Sequence, residues 1–243
     1  MKSLLFIGIV LVSGFSAGII LGLNNFITTE PFLEAAIELE NKALFASGEE
    51  KDTQQFRAEY NAYRYWQKGG MVLAGGIFGL AVGSLFGIVF AFSRNVLPGK
   101  HHVQKTLILA GLMWFTIFLI PFLKYPANPP TVGDPETVVL RAILYLSFIA
   151  ISGFGAIGFY QLYKRLKTNT KFVAFLCYTA FISIVFVLMP PNPDEITAPM
   201  ALVSNFRIMS VLSVSLFWLV DAIILGLFWQ KFQPDKPIET RTH

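Results

Sequence analysis

Six stretches of this chain are each apolar for about the length of a membrane-crossing helix, and that feature constrains what it can fold into. They run 4–26, 70–92, 106–122, 138–160, 172–189 and 208–229, each bounded by charge, proline or both. About twenty apolar residues at ~1.5 Å per residue cross ~30 Å of hydrocarbon. In lipid every backbone N–H and C=O must be satisfied internally, so such segments form helices. With 54% apolar and 14% charged side chains over 243 residues, an ordinary soluble domain is excluded. The fold class expected is all-α: a polytopic bundle of six transmembrane helices forming one membrane domain over 1–243. The first segment has no small-x-small cleavage site and is read as a retained helix, not a removable leader. Cys177, the single cysteine, rules out an internal disulfide framework and a thiolate metal cluster.

The connectors set an orientation. Arg94, Lys100 and Lys105 lie between spans two and three, and Lys164, Arg165, Lys167 and Lys171 between spans four and five, with no acid in either loop. The opposite connectors hold Asp134 and Glu136, or Asp194 and Glu195, against Lys124 alone. The segment 24–68 carries eight acids and five bases. Because Lys and Arg favour the cytoplasmic side of short loops, both termini are expected inside a plasma membrane, with the acidic connectors outside. The net charge of +4 therefore serves topology. No basic helix or basic-aromatic stripe supports nucleic-acid binding, and the expected surroundings are the lipid bilayer.

The external insertion 27–68 reads as helical. "EPFLEAAIELENKALF" places Phe32, Leu33, Ala36, Ile37, Leu39 and Leu44 on a broad apolar stripe with Glu34, Glu38 and Glu40 largely opposite, Pro31 in a first turn and Gly48 at the end. A second stretch, 52–67, leads into span two. The pair forms either a lid over the bundle or a carboxylate-lined entry funnel. For the funnel, Glu34 and Glu38 stand four apart on one face, a spacing suited to an oxygen-preferring cation and also ordinary on any helix surface.

Glycines recur every four residues at Gly14, Gly18 and Gly22 in span one and at Gly75, Gly79, Gly83 and Gly87 in span two. Rows of small residues let membrane helices approach backbone to backbone, so these two spans are expected to pair tightly.

Proline-rich connectors follow spans three and five: "LKYPANPPTVGDPE" and "MPPNPDE". Proline removes a backbone donor and clashes with the preceding turn, so Pro121 and Pro126 kink or end span three, and Pro129 and Pro130 impose an extended course. Asp134 then caps a new helix with Pro135 at its first position. Each connector contains Asn-Pro, at Asn128 and Asn192, and each is followed by an arginine in the next span, Arg141 or Arg207. The two hairpins, 104–163 and 171–230, read as repeats. Their connectors are either stiff turns with snorkelling arginines or the rims of an external vestibule with amide and carboxylate oxygens.

The run "PFLKYPANPPTVGDPET" followed by Arg141, together with "TTEPFLEAAIELE" after span one, resembles the CbtA family of predicted cobalt transporter subunits, and the similarity extends over most of the chain. The resemblance implies an integral membrane component of cobalt uptake, working with a small histidine-rich membrane subunit. The matching motif positions are Pro31, Glu34, Lys124, Tyr125, Pro126, Asn128, Pro129, Pro130, Gly133, Asp134, Pro135 and Arg141. Many relatives carry histidines in the first external segment, whereas 24–68 here has none.

His101 and His102 lie on the side read as cytoplasmic, and His243 ends the chain. Adjacent imidazoles diverge on a helix and need outside ligands to hold a metal. Asp221 sits near the middle of span six, where a carboxyl must face the bundle interior. It relays protons, meets a cation, or makes a packing hydrogen bond to Ser or Tyr of a neighbouring span. Glu34, Glu38, Asn128, Asp134, Asn192, Asp194 and Asp221 together outline a candidate metal or transport path. No hydrolase, nucleotide-binding or zinc-protease motif occurs, so no enzyme activity and no tightly bound cofactor are expected. Two functions remain: a membrane subunit of divalent metal uptake, with cobalt as cargo, or a non-transporting scaffold that assembles a partner through its glycine faces.

Overall fold

A computed structural model describes residues 2–235. The described residues form an all-α protein with six helices long and apolar enough to span a membrane. In chain order the helices are α1 (Ser3–Thr28), α2 (Glu30–Ser47), α3 (Gln54–Ser93), α4 (His102–Lys124), α5 (Val138–Arg165), α6 (Phe172–Leu188) and α7 (Met200–Phe232). All but α2 are spans. Exposed Leu73, Ile77, Phe92, Phe154, Val187 and Leu188 suit hydrocarbon surroundings.

Local chemistry explains the boundaries outside the spans. In α2, Pro31 occupies the first turn, and Gly48 closes the helix with a left-handed φ of 80°. Thr53 starts α3 by accepting a hydrogen bond from the Phe56 N–H at 3.1 Å. The stretch 54–67 then runs unbroken into the second span as one helix of 40 residues. At ~1.5 Å per residue that helix outreaches the hydrocarbon layer, so its first turns project from it.

The chain divides into two compact units, 1–111 with 208–243, and 112–207. In the first, α1 crosses α3 glycine to glycine. A Cβ on Gly79 would lie 2.7 Å from Gly18 Cα, and one on Gly83 would lie 2.5 Å from Gly14 Cα. Backbone contact of this kind tolerates no side chain at the crossing. Helix α7 joins the pair through aromatic rings, Phe217 against Phe78 at 5.4 Å and Trp218 against Phe86 at 5.8 Å between centroids.

In the second unit, α5 and α6 enclose a core of Leu144, Phe148, Tyr178 and Ile182 with Ile120 and Tyr125. Here α4 widens to π-helical geometry over Trp114–Leu119, and the Ile120 N–H donates to the Phe115 carbonyl. The Thr116 carbonyl thereby loses its ordinary donor, and Pro121, next in register, has no N–H to give. The Ser152 hydroxyl donates to it instead, at 2.6 Å, and pairs with the Tyr178 hydroxyl at 2.8 Å. The kink expected at Pro121 thus takes the form of a π-helical widening with its freed carbonyl satisfied from α5.

Candidate functional site

The two proline connectors of the second unit are tied to each other by exchanged arginines. Arg141, at the start of α5, reaches the second connector and pairs with Asp194 at 2.6 Å. Arg207, at the start of α7, reaches the first and donates to the Asn128 side-chain oxygen at 2.7 Å and to the Ala127 carbonyl at 3.3 Å. The Tyr125 hydroxyl adds a third tie by donating to the Pro190 carbonyl at 2.7 Å. Burial pushes that phenol above its ordinary range. Thr137 completes the Asp194 cage with a 2.5 Å hydrogen bond. The Asp194 side chain is fully buried, so its charge is held by partners and not by water.

Backbone geometry makes room for that cage. Gly133 has φ of 114°, and a Cβ there would collide with the Asp194 carboxylate and lie 3.1 Å from the Arg141 guanidinium. Thr131 also takes a positive φ, 79°, which a β-branched residue seldom adopts. Asp134 caps the next turn by accepting from the Glu136 N–H at 2.8 Å, with Pro135 following it. Asn192 accepts from the Asp194 N–H at 3.2 Å, a local turn. Of the predicted connector residues, Asn128, Asp134, Asp194, Arg141 and Arg207 therefore belong to one cross-tied structure, while Asn192 supports it locally. Lys124 stands over the Phe186 ring at 5.0 Å.

Helix α2 and the first turns of α3 carry a separate charged cleft of about 400 Å³, lined by Glu34, Glu38, Asn41, Asn61, Arg64 and Lys68. Glu30, at the start of α2, is buried against Arg64, and Lys68 pairs with Glu34. Burial raises the Glu30 carboxyl above its ordinary value, although Arg64 and Lys68 pull it down. Glu38 is exposed, paired with Lys42 at 2.6 Å, and held below its ordinary value by that hydrogen bond. Both predicted carboxylates thus face a lysine.

Asp221, in α7 of the first unit, has no exposure to solvent. Neither of its carboxyl oxygens receives a hydrogen bond. Ser13 of α1 is within reach, but its hydroxyl proton is committed to the Val10 carbonyl at 3.1 Å. A Cβ on Gly83 would stand 3.4 Å from Asp221 Oδ2, which puts the carboxyl at the α1–α3 crossing. On the side of the two histidines, His102 and Trp229 form a tilted pair at 6.4 Å, and Arg94 faces Asp235 at 3.6 Å. His243 lies outside the described residues.

Sequence reasoning missed Ser13, Glu30, Arg64, Ser152 and Tyr178. An acid at the first position of α2, 34 residues before an arginine on a helix already expected to pack nearby, was the available signal for the Glu30–Arg64 pair. Among the described residues no group of three or more His, Cys, Asp or Glu is placed to hold a metal ion. No curated protein and no solved structure matches the chain. Residues 2–230 match the family described as "Probable cobalt transporter subunit (CbtA)", and with nearly the whole chain covered and its six spans in place, the protein belongs to that family of membrane transport subunits.

Proposed function

We propose that this subunit admits a divalent cation, cobalt, from the external side through oxygen donors that lysines hold in reserve. The observation that carries this reading is the cleft between α2 and α3. There Glu34 is about half exposed and paired to Lys68, and Glu38 is paired to Lys42. A divalent ion outcompetes a flexible ammonium for a carboxylate at an exposed site and is released as readily, which suits transit and not storage. The cross-tied connectors of the second unit offer oxygens of their own. Asn128 and Asp134 present oxygens near the surface of a frame whose shape Arg141, Arg207 and Gly133 maintain. The hairpins 104–163 and 171–230 act as two copies of one design, each lending an arginine to the other's connector.

Carboxylate and amide oxygens bind Mg²⁺ or Mn²⁺ as readily as Co²⁺, so selectivity comes from imidazole ligands supplied by a small histidine-rich membrane subunit. Both termini and the basic loops are cytoplasmic. The scaffold alternative needs the glycine faces of α1 and α3 for a partner. Those faces are filled by each other, which favours the transport reading. Uptake of Co²⁺ into vesicles, with this chain alone and with the small subunit present, tests the proposal. Saturable uptake should need both and should fall several-fold in Glu34→Gln. Full uptake by the lone chain would remove the partner requirement, and unchanged uptake by Glu34→Gln would remove the cleft.

A further inference from the structure

The carboxyl of Asp221 has no place in the cation route just described. The Thr106 hydroxyl of α4 is taken by the carbonyl of the neighbouring residue, Ala222, at 2.7 Å. Among the described residues no charge stands beside the carboxyl on any element packed against it. Helix α1 has no ionisable side chain, and α3 has none between Lys68 and Arg94. Helix α4 has His102 and Lys105 at its beginning and Lys124 at its far end, and on α7 itself Arg207 and Lys231 stand 14 and 10 residues away. At ~1.5 Å per residue those separations are roughly 20 and 15 Å along the helix axis.

Two occupants fit a carboxyl in such a place, a proton or a metal cation. A divalent ion asks for about six oxygens, and one carboxyl with one hydroxyl falls well short. An ionised carboxylate left alone would keep two unsatisfied oxygens in a buried site, at a cost of several kcal/mol. The neutral acid needs only one acceptor for its O–H. Ser13 Oγ provides that acceptor, since its own proton already goes to the Val10 carbonyl and its lone pairs are free. In the site proposed below, the Asp221 O–H donates to Ser13 Oγ and the Ser13 O–H to the Val10 carbonyl, so that every donor has an acceptor.

We propose that Asp221 and Ser13 form an internal proton-binding site of the first unit, and that loading and unloading of this proton accompanies cation uptake. The second half rests on the transport reading above. On unloading, the Asp221 O–H bond breaks, its electron pair stays on the carboxylate, and water accepts the proton. On loading the reverse occurs. The proton site and the cation-binding oxygens are different groups, so both ions are bound at once, and the proposal has them carried in the same direction. Acid on the entry side therefore accelerates uptake.

The site is tested without reference to transport by infrared spectroscopy of the full-length protein in lipid. The wild type should show a protonated-carboxyl C=O band at neutral pH that is absent from Asp221→Asn and disappears reversibly as the pH is raised. Ser13→Ala should move its frequency by removing the acceptor. Asp221→Glu, which keeps the acid, should keep a titrating band at a shifted frequency, so the assignment survives a failure of the asparagine variant to fold. A carboxylate signal at every pH, a band that never titrates, or a band displaced when Na⁺ replaces K⁺ at constant pH would overturn the proton site. Coupling is read in vesicles holding the chain and its small subunit. An acid entry side should raise the initial Co²⁺ rate several-fold in wild type and leave Asp221→Asn unchanged. An equal response of both refutes coupling alone. Vesicles that carry no Co²⁺ at all refute the transport reading, while the infrared titration still decides the site.

Discussion

Alanine at Gly79 is the most direct challenge to the packing of α1 on α3. The new methyl would strike the Gly14 carbonyl oxygen and stand 2.7 Å from Gly18 Cα and 2.8 Å from Gly18 N. Carbon contacts relax at about 3.5–4.0 Å, so the backbones must part by roughly 1 Å. No rotamer change relieves the clash, because every obstructing atom is main chain. Overpacking of this kind costs about 1–3 kcal/mol. The separation also opens the neighbouring Gly75–Gly22 and Gly83–Gly14 contacts, each losing about a quarter to a half of its dispersion well. Against this, alanine gains up to about 1 kcal/mol of helix propensity over glycine. The net expectation is a loss of about 1–2 kcal/mol, a factor of about five to thirty in the folded-to-unfolded ratio. Gly8 and Gly158 are the internal controls, since a Cβ at either meets nothing within 4 Å. Alanine there should be neutral or stabilising. Thermal loss of monodisperse protein in a mild detergent measures the series, with Gly83→Ala expected beside Gly79→Ala. Gly153→Ala should be milder, because its neighbour is a movable Ile117 methyl group at 3.1 Å. Gly79→Ala as stable as Gly8→Ala would refute the backbone-contact argument.

The connector frame predicts that Asp194→Ala and Arg141→Ala each cost about 3 kcal/mol, with the double variant well short of their sum, because each single change strands a poorly hydrated charge. Additive losses in a melting series would show that the pair is not coupled. Arg207→Ala should cost about 1.5–3 kcal/mol and make the first connector more susceptible to protease, since it loses charge-assisted bonds to Asn128 and Ala127. For topology, single cysteines at positions 51 and 102 in a Cys177→Ser background should label with an impermeant reagent on intact cells at 51 and not at 102, and the opposite pattern would invert the orientation. For pH, the folded chain holds the Glu30 proton to a higher pH than the unfolded chain, because burial raises that carboxyl. Its contribution to stability is therefore full below the ordinary value of 4.5 and declines as pH rises through the raised value. Glu30→Gln should flatten that slope, and an unchanged slope would assign it to other groups.

The spans were legible because apolar runs of membrane length admit few structures. The ends of α2 and the turn at Asp134-Pro135 were legible because Pro, Gly and Asp act locally there. The merging of 54–67 with the second span into one helix was not, since the shift from amphipathic to apolar composition around Lys68 marks the edge of the bilayer and not a break in hydrogen bonding. The connectors show a different limit. Both arginines were visible as members of a repeat, yet sequence spacing made each a neighbour of its own asparagine. In the fold each crosses to the other connector, since a guanidinium at the start of a span is long enough to reach the adjacent turn, and Arg141 braces its own as well by donating to the Asp134 carbonyl at 3.3 Å. Asp221 marks the deepest limit. Helix α7 is apolar on all sides, so periodicity cannot tell which face turns inward, and only the carboxyl itself argued for burial. That it meets the crossing of α1 and α3 follows from Gly14 and Gly83 together: where two backbones come closest, neither contributes a side chain, and the space left at the edge of the contact admits a short acid from a third helix. The same crossing offers that acid no donor and no cation, only Ser13. The glycine row that packs the helices is therefore also what isolates the carboxyl, and a residue larger than glycine at 83 would press on both functions at once.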